Sequence, residues 1–196
     1  MLYILLSIII IMPVLGGFGE IFQKIFGEMW STFSAKIFSG IFSLAMLWQI
    51  LAFFFPLNLW VEGVSLIIGF LAFFYFKTYR SFNDFSKIEV FKLSFLSIIV
   101  IFSGSYYPFI LDHFGYYVPS INWLSEFGLS KGLANLNLIY AQMSVWHIFQ
   151  AGFSHFSDVF LRINVVFLIA FFIYLYPNVI CFIYNYIPNS CFSRFW

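Results

Sequence analysis

The groups in this chain that could move a proton are few, and most sit beside long apolar runs. Asp112 closes one such run, in "IFSGSYYPFILDHFG". A carboxylate there could act as a general base, because an apolar wall raises its pKa toward that task. The plainer reading is a helix-end acid in a headgroup layer. Glu62, in "LWVEGVS", is an acid within an apolar stretch. Such a residue is costly and usually functional, although near a span's end it could simply reach water. His113, His147, His155 and Asp158 could join Asp112 around a divalent cation, with His155 and Asp158 three apart on one helix face. There is no HExxH motif and no cysteine cluster, so helix caps and interface hydrogen bonds explain these residues more simply. No metal site is assigned, and no cofactor is indicated. Lys131 and Arg162 could hold a lipid phosphate or merely extend toward headgroups. Ser144, His147, Gln150 and Ser154 form one polar stripe at about 100° per residue, which should face protein or a watery cavity because lipid cannot satisfy it.

The elements that must position these groups are apolar. Of the 196 residues, 63% are hydrophobic and only 9% charged, with a mean hydropathy of +0.97. A soluble domain carries about 25% charged residues, so the solvent this composition suits is lipid. The net charge of +1 suggests no nucleic-acid partner. Cys181 and Cys191 form no motif. The 31 Phe partly reflect AT-rich codon usage and carry no functional message alone.

A membrane helix needs about 20 apolar residues, and five segments qualify: 2–18, 37–55 (ending at Pro56), 57–76, 93–111 and 159–176. The first lacks a basic leader and an A-x-A cleavage site, so it reads as an anchor. Hydrophobic periodicity does not orient such helices, because they are apolar all round. The runs are too long and too regular in their apolarity for barrel strands. Lys77, Arg80, Lys87 and Lys92 mark the loop between spans three and four as cytoplasmic, and Lys24 and Lys36 mark the first loop likewise. Residues 112–158 then fall outside. In the first loop, "EIFQKIFGEMWSTF" has Ile21, Phe22, Ile25, Phe26 and Met29 at helical spacing, with Glu20, Lys24 and Glu28 on another face, which suits a short helix on the membrane surface or, as the commoner case, a plain connecting helix.

The outer segment is the polar exception. In "PSINWLSEFG", Ile121, Trp123, Leu124 and Phe127 can share one face of a short helix, with Asn122, Ser125 and Glu126 opposite. Gly128 suits its end, and "GLANLN" turns the chain back. Trp and Tyr favour the headgroup layer, so the segment should lie in the interface. The pattern D-x4-Y-x3-I-x-W-L-x-E-x-G-L-x2-G-L-A-N-L, carried by Asp112, Tyr117, Ile121, Trp123, Glu126, Gly128, Gly132, Leu133, Asn135 and Leu136, resembles the first outer loop of bacterial multi-spanning proteins related to the GT-C glycosyltransferases. The resemblance covers residues 111 to about 160. It implies sugar transfer from a polyprenyl-phosphate-linked donor on the outer face, with Asp112 as catalytic base or acceptor-orienting group. Val118 departs from the group, which often has His there. The chain is also shorter than the members expected to be active, which suggests a truncated or frameshifted member.

The expectation is therefore an all-α polytopic bundle of about five spans. It would be a single membrane domain over 1–196, with an external interfacial loop and short helices at 112–158, in the bacterial inner membrane. The expected function is a GT-C-like transferase, or a fragment of one, in cell-envelope polysaccharide or glycolipid synthesis. Asp112 would be catalytic, and Glu62, His113, Tyr117, Lys131, His147 and Gln150 would line the substrate site. Partners would be membrane lipids and a polyprenyl-phosphate sugar donor. The alternatives are a transporter, a lipid-linked-sugar handling subunit, or a non-functional remnant. A transporter should show internal repeats, and none is evident.

Overall fold

The computed structural model describes residues 2–27, 33–84, 113–132 and 143–155, with isolated positions between 91 and 102 and at 135. Among the described residues the chain is helical, without strands. Three long helices form the scaffold: α1 (Leu2–Phe26), α2 (Phe33–Ala52) and α3 (Leu59–Tyr75). A 3₁₀ segment, Thr78–Asp84, follows α3. In the outer segment a π-helical turn, His113–Tyr117, leads into α4 (Val118–Phe127), and α5 (Val145–Ala151) comes later.

α1 and α2 are each long and apolar enough to cross a membrane, and less than half of each such stretch is buried in the protein (44% and 39%). α3 is as apolar but has 17 residues, about 25 Å at about 1.5 Å per residue. Its faces are arranged opposite to those of a soluble helix. Glu62, Ser65, Gly69, Ala72 and Phe73 point inward, while Leu59, Trp60, Val64, Ile67, Ile68, Leu71 and Phe74 are exposed. Where the surroundings are themselves apolar, large side chains gain nothing by turning inward, and small residues that let backbones approach take the contact instead. A Cβ on Gly17 or on Gly40 would overlap the backbone of Gly69 and of Leu15 respectively, so α1 touches α3 and α2 almost backbone to backbone. Phe91, Phe95, Ile98 and Phe102, helical and spaced to share a face, are also exposed.

The boundaries of α2 and α3 follow the expected spans closely, with Asn58 capping α3 by accepting from Trp60 N and Val61 N at 3.2 and 3.3 Å. The first loop differs. Residues 20–26 do not form a separate surface helix; they continue α1 until Gly27, whose φ is +102°. Tertiary contacts explain the difference. Glu20 pairs with Lys36 Nζ at 2.8 Å, and Gln23 is buried while Ile25 and Phe26 are exposed. Glu20 and Gln23 turn inward and Ile25 and Phe26 outward, while Ile21 packs on the core and the Phe22 ring meets that of Phe42 on α2. Lys36 also donates to Ser81 Oγ at 3.2 Å, which brings the first and third loops to one end of the bundle.

At the other end α4 sits on the α2–α3 corner. Leu57 N–H donates to Leu124 O at 3.1 Å, and Leu129 N–H donates to Ala52 O at 2.8 Å. Gly128 ends α4 with φ +71°, and a Cβ there would lie 2.7 Å from Ala52 O. Both the turn and the close approach require glycine. The buried face of α4 is Ser120, Ile121, Leu124 and Ser125. Ser125, expected on the polar side, is turned inward, and Phe127 is exposed, its ring 4.7 Å from that of Trp123. The expected apolar face is thus divided: Ile121 and Leu124 anchor the helix to the protein, and Phe127 looks out. The expected spans at 93–111 (apart from isolated positions) and 159–176 lie outside the described residues.

Candidate functional site

Two polar clusters lie at the α2–α3 corner end, joined by the segment 144–155. The first is built on α3. Glu62 is 1% exposed, and its carboxylate accepts the backbone N–H of His155 at 3.0 Å. The His155 ring stands beside the same oxygen, Nδ1 to Oε2 3.3 Å. One turn along α3, Ser65 Oγ accepts from Trp48 Nε1 at 3.0 Å and donates to Val61 O at 2.7 Å. Trp48 is buried against Phe149 and Phe153, with ring centroids 5.7 and 4.8 Å away. Gly152 packs flat on the Trp48 ring, leaving no room for a Cβ. The aromatic contacts thus press the end of α5 onto α2, and Glu62 fixes its register on α3.

The second cluster is built on α5. Ser144 caps the helix, and the cap is reciprocal with His147. Ser144 N–H donates to His147 Nδ1 at 3.0 Å, and Ser144 Oγ lies 2.7 Å from the same nitrogen. A backbone N–H can only donate, so Nδ1 must be the acceptor and the proton of the neutral ring resides on Nε2. Burial pushes the His147 pKa below the usual histidine range, so the ring is held neutral. Tyr117 stacks on it (5.2 Å, 24°), and Tyr116 meets it edge-on (5.2 Å, 72°). Burial, and then the neighbouring Tyr117, raise the Tyr116 phenol above its ordinary value.

Of the residues the sequence nominated, the structure brings Tyr117 and His147 together and buries Gln150 one turn beyond His147. The polar stripe expected over Ser144, His147, Gln150 and Ser154 faces protein at His147 and Gln150, whereas Ser144 is exposed and Ser154 half-buried. Glu62 is placed at the same end but engages His155, which spacing had linked only to Asp158. Lys131 is exposed on the turn after α4. Asp112, Asp158 and Arg162 lie outside the described residues, as does the side chain of His113. Among the described residues no three His, Cys, Asp or Glu side chains converge as a metal set would. Trp48, Ser65, Tyr116 and the role of His155 escaped the sequence reading. A signal for Ser65 was present: Glu62, Ser65, Gly69 and Ala72 repeat at helical spacing, a small-and-polar stripe hidden in an apolar helix.

A protein-family model described as a domain of unknown function (DUF8201) matches residues 1–191. No curated protein and no solved structure matches the chain.

Proposed function

The chain belongs to the DUF8201 family, and from that premise we propose that it is a multi-pass protein of the bacterial inner membrane that acts on a polyprenyl-phosphate-linked sugar as a GT-C-like transferase. The membrane part of the reading is supported by two span-length helices and by the outward-facing large side chains of α3. The Lys36–Ser81 contact groups the lysine-bearing loops at one end, as the positive-inside tendency requires of cytoplasmic loops. The segment bearing α4 and α5 packs at the opposite end and so falls outside. In this reading five spans cross the bilayer, and 112–158 lies in the outer headgroup layer.

The observation that carries the functional part is the buried polar site at that depth. Glu62 is enclosed at the outer end of α3 and gripped by a segment that also holds His147 and Gln150. A polyprenyl donor keeps its tail among the acyl chains, so its phosphate and sugar lie where the chain must be polar yet walled by apolar anchors. In the proposed reaction Asp112 removes the proton of the acceptor hydroxyl. That oxygen bonds to the anomeric carbon as the bond from that carbon to the phosphate oxygen breaks, and polyprenyl phosphate departs with the electron pair. Glu62 positions the segment that lines the site.

The test uses membranes containing the protein, a panel of tritiated polyprenyl-phosphate-linked hexoses and pentoses, and the Asp112→Asn variant. Transfer to endogenous acceptors should fall by about 10²–10⁴-fold in the variant at equal protein level. Equal transfer by both proteins removes Asp112 from catalysis. No transfer from any donor favours a subunit that handles lipid-linked sugars without reacting.

A further inference from the structure

The His147 cluster contains more hydrogen-bonding capacity than the described residues use. With Nδ1 committed to Ser144, the ring presents Nε2–H as a fixed donor. His147 is 4% exposed, and its Nε2 has no hydrogen-bond partner among the described residues. Ser120, fully buried on α4, is in the same condition at Oγ. It follows Tyr116 and Tyr117 by one helical turn, and α4 packs against α5. Buried polar groups are ordinarily paired, and an unpaired one calls for an explanation. Here the imidazole is immobilised by its cap and by Tyr117 stacking, and Tyr116 meets it edge-on.

We propose that His147 Nε2–H and the Ser120 hydroxyl, walled by Tyr116 and Tyr117, form a binding subsite for an uncharged sugar ring. A fixed donor on one helix and, on the helix packed against it, a hydroxyl that both donates and accepts match a sugar's several hydroxyls, and aromatic rings match the C–H faces of a pyranose. A phosphate is the competing acceptor, but the cluster offers it a neutral imidazole. Lys131, the basic residue nearest α4 in sequence, is exposed on the following turn. The subsite deepens the proposed function by assigning where the sugar, as opposed to its phosphate, is held, and it rests on that reading only for the source of the sugar.

The full chain, labelled with ¹⁵N-histidine in sugar-free amine-oxide micelles, is titrated with methyl glucoside, methyl galactoside and N-acetylglucosamine, and separately with inorganic phosphate. At least one sugar should shift the His147 Nε2 resonance saturably below about 100 mM, a weak affinity suited to a ring without its lipid tail. Phosphate should not. Ser120→Ala, which removes a hydroxyl without a partner among the described residues and so leaves the fold intact, should weaken that binding by roughly 10-fold. His147→Phe should abolish it, and His147→Gln, which keeps a donor and an acceptor, should restore part. A shift with phosphate alone, no shift with any sugar, or unchanged binding in Ser120→Ala and His147→Phe each overturns the proposal. Sugar binding without transfer refutes the transferase reading and leaves the subsite standing; transfer unaffected by His147→Phe refutes the subsite alone.

Discussion

Removing the Glu62 carboxylate should loosen segment 144–155 from α3, with a cost that depends on what replaces it. Oε2 accepts a fixed donor, the His155 N–H at 3.0 Å, and stands 3.3 Å from a ring that is 32% exposed. The exposed ring contributes little because solvent screens it, so the backbone donor dominates. Both Glu62→Gln and Glu62→Ala relieve the desolvation of a buried carboxylate, so the difference between them isolates contacts. Gln keeps an acceptor for the N–H, about 1 kcal/mol, and one methylene that Ala lacks, about 0.8 kcal/mol. Ala should therefore be less stable than Gln by about 2 kcal/mol, or about 4–8 °C in melting temperature for a chain of this size. His155→Ala keeps the N–H and should cost about 1 kcal/mol or less. Thermal unfolding in detergent gives the order, and amide exchange at 152–155 gives the place. Equal melting temperatures for the Gln and Ala variants, or a His155→Ala loss as large as that of Glu62→Ala, would refute the assignment of the grip to the backbone N–H.

Acidification should destabilise the protein through His147. Its folded pKa lies below the usual value of 6.5, so the unfolded chain binds the proton first, and stability is lost as pH falls from about 6.5 through the folded pKa; a pH series of melting temperatures should show this slope in the native chain and a flatter one in His147→Gln. Gly128→Ala should cost about 1–3 kcal/mol, because φ +71° and the nearby Ala52 carbonyl both oppose a Cβ; a melting temperature within a degree of the native value would contradict the docking of α4. Once Cys181 and Cys191 are replaced by Ser, a membrane-impermeant maleimide should label Ser130→Cys from outside intact cells and leave Arg80→Cys unlabelled, and the reverse pattern would invert the topology.

Much of the scaffold was legible locally. The apolar run ending at Pro56 located α2, and the run that follows it located α3, because length and breakers act within a few residues. Gly128 and Gly132 announced their turns, and both have positive φ. The stripe containing His147 and Gln150 was readable from spacing alone, and these two members are buried against protein. Other features depended on partners far along the chain. Glu62 meets His155, 93 residues away, and no local rule links an acid to a donor at that separation. The first loop reads as a surface helix until Glu20 meets Lys36, which makes continuing α1 preferable to ending it. The inner face of α3 was obscured for a different reason. In a lipid-like environment the large apolar residues carry no orienting signal, and the period resides in the small and polar positions Glu62, Ser65, Gly69 and Ala72. By itself, then, the sequence determined which of the described segments are helical and what solvent they suit, because composition and breakers act locally. Only the tertiary structure decided which carboxylate is gripped and which face of α4 is anchored, because each depends on a donor or a packing face brought together by the fold.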